Sequence, residues 1–143
     1  MAPLILLSAC QSRTPQPVPI ESSDMCGRCR MAVSQKQFAA QLFDAEENSV
    51  KFDDIGCLLR WLDTYGKQPL AIYVADYPTR QWSDAHNALY VRAPKVATPM
   101  GGGILAFAER GRAERAAHEF GATVLTFSEI MKDKPAWNLK QSP

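Results

Sequence analysis

Phe52-Asp53-Asp54-Ile55-Gly56-Cys57-Leu58-Leu59-Arg60-Trp61-Leu62-Asp63-Thr64-Tyr65-Gly66 is the stretch that decides the fold. Leu58, Trp61, Leu62 and Tyr65 recur at i, i+3, i+4 and i+7, the spacing of one apolar face of an α-helix. Gly66 stops that helix, because glycine adopts the left-handed conformation that closes a helix C-terminus. Asp53 and Asp54 precede it. They could pass for paired catalytic carboxylates, but an acid before a helix accepts free N–H groups and complements the dipole, and capping is the better account. Upstream, Phe38 to Phe43 reads as a strand, Asp44 to Asn48 as a turn and Ser49 to Phe52 as a second strand. Downstream, Leu70 to Val74 reads as a third. The order is β-β-α-β.

The same order returns. Ala88 to Val91 and Ile104 to Phe107 read as strands. Ala113, Ala116, Ala117 and Phe120 recur at helical spacing, Gly121 stops the helix, and Thr123 to Phe127 reads as a closing strand. Phe52 and Phe107, Gly56 and Gly111, Tyr65 and Phe120, and Gly66 and Gly121 are related by one constant offset. The expectation is an α+β fold of two homologous ββαβ units from an internal duplication, residues 24–76 and 77–131. A loose tail, 132–143, follows. Each unit alone would bury little apolar surface, so the two are expected to pack together.

The chemistry concentrates just upstream. Asp24-Met25-Cys26-Gly27-Arg28-Cys29-Arg30-Met31 holds two thiols in a Cys-X-X-Cys spacing and two flanking thioethers. Thiolate and thioether are soft donors, and soft donors select soft metals such as Cu(I). A zinc site would usually add a second Cys/His pair at recognisable spacing. The competing use is dithiol redox chemistry. Arg28 and Arg30 would favour the thiolate for either purpose. The methionines, and the absence of the preceding strand that a thioredoxin-like motif requires, favour copper. In an extended segment, residues two apart point to one side, so Cys29 and Met31 can converge on one ion.

Leu4-Ile5-Leu6-Leu7-Ser8-Ala9-Cys10 looks like a bacterial lipobox: an apolar run, small residues and a cysteine whose thiol would carry the lipid. Residues 1–9 are then an export signal, although Met1-Ala2-Pro3 lacks the basic residues that usually open one. Residues 10–23, rich in Pro, Ser, Thr and Gln, read as a flexible tether. Gln11 follows the cysteine where an Asp would signal inner-membrane retention, so an outer-membrane anchor facing the periplasm is expected. Elsewhere no apolar run approaches the roughly 20 residues of a spanning helix. The net charge of +1, with no Lys/Arg run, argues against nucleic acid as a partner. No Ser/His/Asp order, phosphate loop or zinc-protease motif is present, so an enzyme is not expected.

Taken together, these residues resemble the NosL accessory lipoproteins of nitrous oxide reductase. The resemblance is carried by the lipobox at Cys10, by Cys26-X-X-Cys29-X-Met31-X-Val33, by Phe52 to Leu59, and by a final group. That group comprises Asp76-Tyr77, Trp82 to Ala85, Ala88 to Val91, Pro99-Met100-Gly101 and Val124 to Ile130. It spans nearly all of residues 24–131. Many members carry a His after the Pro-Met-Gly step, where Gly102-Gly103 stand here. The resemblance implies a duplicated ββαβ fold, Cu(I) binding, and copper delivery for maturation of nitrous oxide reductase, with the NosDFY transporter complex as partner. Cys29 and Met31 match its Cys-X-Met segment and are the first candidate ligands, with Cys26 next.

Met100, in a glycine-rich loop able to close over the first unit, is the candidate distant ligand; a gap-filling core role is its alternative. Asp24 could add an oxygen. Met25 is expected to be an exposed neighbour, Cys57 a buried small apolar side chain, His86 a solvated turn residue and His118 a surface residue of the second helix.

Overall fold

The computed structural model describes residues 13–133. The expected signal, the lipidation site at Cys10 and most of the expected tail lie outside them. The first sheet contains β1 (Ala40–Phe43), β2 (Ser49–Phe52), β3 (Ala71–Ala75) and β4 (Trp82–Asp84), with helix α1 (Ile55–Tyr65) between β2 and β3. The second contains β5 (Leu89–Arg92), β6 (Ile104–Phe107) and β7 (Val124–Leu125), with α2 (Arg110–Phe120) between β6 and β7 and a closing α3 (Phe127–Lys132). Strand order is β2-β1-β3-β4 in one and β6-β5-β7 in the other, all antiparallel. In each unit the first strand therefore lies between the second and the third.

The apolar pattern explains the layers. β1, β3 and β6 are buried along their whole length. α1 buries Ile55 to Leu59. Its Trp61 stacks on Tyr65 with ring centroids 4.0 Å apart and meets Phe52 edge-on. Gly66 and Gly121 both close their helices at positive φ. One core cluster joins the units: Leu42, Phe52, Leu58 and Val74 from the first pack with Tyr90, Ile104 and Ile130 from the second. Asp76 also crosses the boundary, accepting from the Ala108 N–H at 2.9 Å and the Thr79 hydroxyl at 2.6 Å.

Three expectations change. β4 pairs with β3 through Tyr73↔Asp84, so residues beyond the expected boundary at 76 complete the first sheet. The expected closing strand 123–127 is cut short. Thr126 accepts from the Glu129 N–H while the Glu129 side chain accepts from the Thr126 N–H, a capping box that opens α3. Its Thr-X-X-Glu signature was readable in the sequence. The second half of the expected tether is bound. Gln41, fully buried, accepts from the Val18 N–H at 3.0 Å and donates to its carbonyl at 2.9 Å. Tyr73 donates to the Pro15 carbonyl at 2.7 Å, and Ile20 enters the core. A proline-rich strap that cannot pair as a strand is held instead by side chains, the Gln41 amide making two of the bonds.

Replacing Gln41 by Ala removes both of its bonds to Val18 and leaves that half-buried N–H and carbonyl without their partner. The expected loss is about 1–3 kcal/mol in denaturant unfolding, with faster proteolysis within residues 13–20. An unchanged cleavage pattern would contradict this account of the strap.

Candidate metal centre

The Cys-X-X-Cys segment is a tight loop laid on the edge of the first sheet. Met25 and Ala32 form an antiparallel bridge. Within it the Cys26 N–H bonds the Met31 carbonyl at 2.8 Å, and the Arg30 N–H bonds the Cys26 carbonyl at 3.0 Å. Arg30 makes the turn at φ 67°. The loop is fastened to β2 by the Gly27 N–H, which donates to the Lys51 carbonyl at 2.8 Å, and by the Lys51–Asp24 ion pair at 2.6 Å. Asp24 is thus committed to Lys51 and to the Glu21 N–H. Glycine is required at 27: a Cβ there would stand 2.5 Å from Val50 Cγ1.

This docking turns Cys26 inward, where it is 0 % exposed, and brings it to the start of α1. Cys26, Cys29, Asp53 and Cys57 offer ligand atoms that all lie within 4.8 Å of one another. The first turn of α1 divides the work of two adjacent acids. Asp54 is the cap, accepting from the Gly56 N–H at 2.7 Å. Asp53 faces the sulfurs and accepts from the Cys29 thiol at 3.4 Å on each oxygen. Capping therefore accounts for one of the pair only.

The electrostatics follow from these contacts. The Cys26 thiol is held well below the ordinary range by a hydrogen bond from Cys57, with backbone N–H groups of Cys29, Asp53 and Arg28 adding to it against the penalty of burial. The anion is stabilised by aimed donors, not by the guanidinium groups of Arg28 and Arg30. Cys29 is pushed up, chiefly by burial. Cys57 is pushed up strongly because its thiol proton serves the Cys26 sulfur. Burial raises Asp53 to about 6. These directions favour the thiolate at Cys26 over Cys29 and Cys57, and three sulfurs beside a carboxyl form a donor set for a soft cation.

The sequence candidates are distributed as follows. Cys26 and Cys29 meet. Cys57 is buried as expected, yet it also belongs to the cluster, which sequence reasoning missed. A cysteine in the first turn of a helix, just after an acidic pair, was the available signal. Met31 does not follow the extended geometry that would align it with Cys29, because the left-handed Arg30 interrupts the alternation. Its side chain is 55 % exposed. Met100 lies half-buried against the shared core. Its N–H donates to the second Asp54 oxygen at 2.9 Å, so the glycine-rich loop of the second unit closes on the first at the start of α1. His86 stands in a turn beside Phe127, with ring centroids 4.7 Å apart, and His118 is exposed on α2. A separate groove, lined by residues including Arg92, Lys95, Phe120 and Leu125, shares no residue with the cluster.

Comparison with known proteins adds three findings. A family model described as NosL matches residues 17–135. No curated protein gives a significant match. Among solved structures, the crystal structure of the copper chaperone NosL from Shewanella denitrificans superposes with a TM-score of 0.70 at 21 % identity, covering 80 % of this chain and 94 % of that one. At that identity the likeness establishes a shared fold.

Two outcomes test the geometry in the metal-free, reduced protein. The thiolate absorbance of Cys26 should persist to a pH well below the ordinary thiol range, and Cys57→Ala should move its loss to higher pH by removing the main donor. Gly27→Ala should push the loop off Val50 and speed alkylation of Cys26. Val50→Ala in the same chain should restore slow alkylation, and failure of that rescue would show that the loop is not held there.

Proposed function

The chain belongs to the NosL family, and from that premise we propose that it is a Cu(I)-binding metallochaperone rather than an enzyme. The observation that carries the reading is the meeting of buried Cys26 and Cys57 with partly exposed Cys29. Three sulfurs suit a monovalent d10 ion that is content with two or three soft ligands. Copper is the cargo here. Cys26 supplies the anionic donor, and Cys29 and Cys57 complete the sulfur set. Asp53 takes a thiol hydrogen bond when Cys29 is protonated. Met31 and Met100 are the thioethers we assign to assist this set. A thioether needs no deprotonation, so it suits the entry and exit of the ion.

We further read the chain as a lipoprotein, anchored through Cys10 on the periplasmic side of the outer membrane. It would deliver copper for nitrous oxide reductase maturation through the NosDFY transporter complex. Family membership supports this reading. The common topology and shared offset of the two ββαβ units support their origin by internal duplication.

The thiol–disulfide oxidoreductase reading has less support. An attacking sulfur must be both ionised and accessible. Here the sulfur with thiolate character is fully buried, and its partly exposed neighbour Cys29 is pushed up.

The test is an anaerobic Cu(I) titration of the reduced protein against a competing chelator, repeated with Zn(II). One tightly held Cu(I) is expected. Cys26→Ser and Cys57→Ser should each release it to the chelator. Met31→Leu should weaken it by about tenfold, about 1.4 kcal/mol. No copper retained, or Zn(II) held in preference to Cu(I), would sink the reading; the reduction potential of Cys26 with Cys29 would then be the next quantity to measure.

A further inference from the structure

Two thioethers and two arginines stand exposed on the loop that carries Cys26 and Cys29. Met25 and Met31 are 53 % and 55 % exposed, although both are apolar and lie beside a well-packed core. They sit on the facing arms of one loop, since Met25 is bridged to Ala32 and the Cys26 N–H bonds the Met31 carbonyl. Cys29, between them in sequence, is the sulfur of the cluster that reaches the surface. Arg28 and Arg30 are exposed on the same loop. Neither forms an ion pair among the described residues, and the nearest acid in sequence, Asp24, is taken by Lys51. Arg30 also occupies a left-handed φ of 67°, where glycine would hold the turn with less strain. The net charge of the chain is only +1, so attraction at this mouth comes from the loop itself.

We propose that this rim is a docking face for a protein partner whose own sulfur-donor copper site is bordered by acidic side chains. The inference rests on the copper reading above. Arg28 and Arg30 hold the acidic border, and Met25 and Met31 take the ion as it leaves Cys29. Each copper–sulfur bond formed to an incoming thioether or thiolate replaces one broken to a cysteine. Copper stays monovalent throughout, no electron moves, Cys26 is left as the thiolate, and Cys29 and Cys57 take back from water the protons they released when copper bound. A protein is favoured over an anionic membrane because a lipid phosphate offers copper no soft donor.

The experiment uses two synthetic peptides, each with two methionines, flanked by aspartates in one and by lysines in the other. Copper-loaded protein is mixed with each, and transfer is followed by stopped flow. At low ionic strength the aspartate peptide should take copper several-fold faster, and the advantage should vanish in high salt. Arg28→Gln combined with Arg30→Gly should abolish the advantage while leaving Cu(I) affinity against a chelator, and thermal stability, no lower than in the natural chain. Met25→Leu should slow transfer to both peptides. Equal rates for the two peptides with the natural chain, or an advantage that survives the arginine changes, would overturn the proposal. So would arginine-dependent binding to phosphatidylglycerol vesicles without any peptide preference, which would reassign the face to a membrane. Binding of the labelled aspartate peptide to the metal-free protein is read separately by anisotropy. If no copper is retained at all but this arginine-dependent binding persists, the copper reading falls and the docking face stands.

Discussion

A single buried carboxylate, Asp54, holds the two halves of the site in register. One oxygen accepts from the Gly56 N–H and caps α1; the other accepts from the Met100 N–H of the second unit. Hydrogen bonds to a charged group contribute about 1.5–3 kcal/mol each, so these two are comparable with a large share of a small domain's net stability. The glycine-rich loop turns onto this joint at Gly103, where φ is 62° and a Cβ would stand 2.6 Å from the Ala93 carbonyl oxygen. The neighbouring residue in the chain, Asp53, is thereby free to face the cysteines. The start of one helix serves as the inter-unit joint and as the wall of the metal centre.

The second constraint is electrostatic. A buried thiolate is costly unless donors are aimed at it. Cys26 has them from the thiol of Cys57 and from the backbone N–H groups around it. Those donors are in place because the loop is pinned to β2 by Gly27 and by the Asp24–Lys51 pair, while Cys57 is fixed by the helix. Cys29 is pushed up chiefly by burial and Cys57 by donating its proton to the Cys26 sulfur, with repulsion from the Cys26 charge adding to both. A soft cation relieves that repulsion. The site is therefore preorganised for a soft cation.

Much of the fold was legible in local patterns. The helical spacing of Leu58, Trp61, Leu62 and Tyr65, the stop at Gly66 and the matching offset at Gly121 led to two units of the same topology. The weaker elements were less legible. β4 is three half-buried residues whose strand character depends on pairing with β3. The strap at residues 15–20 has the composition of a linker, and its binding shows only in long-range contacts from Gln41 and Tyr73 and in the burial of Ile20. The short α3 was overridden by the β-branched run before it, although its capping box was written in Thr126 and Glu129.

For the site, the sequence by itself determined the chemistry: soft donors at Cys26 and Cys29, thioethers on either side, and an acidic pair at a helix start. These follow from residue type and short spacing, which act locally. Which sulfurs meet was decided only by the tertiary structure. Cys57 lies far along the chain from Cys26, and its place in a helix's first turn after an acidic pair marks a candidate without saying which sulfur it meets. The meeting comes from the cysteine loop folding over the edge of β2 and delivering Cys26 to that helix. Met31 shows the converse. Its spacing from Cys29 is suggestive, but one left-handed residue, Arg30, turns the backbone and leaves the thioether on the surface, where the ion would enter or leave.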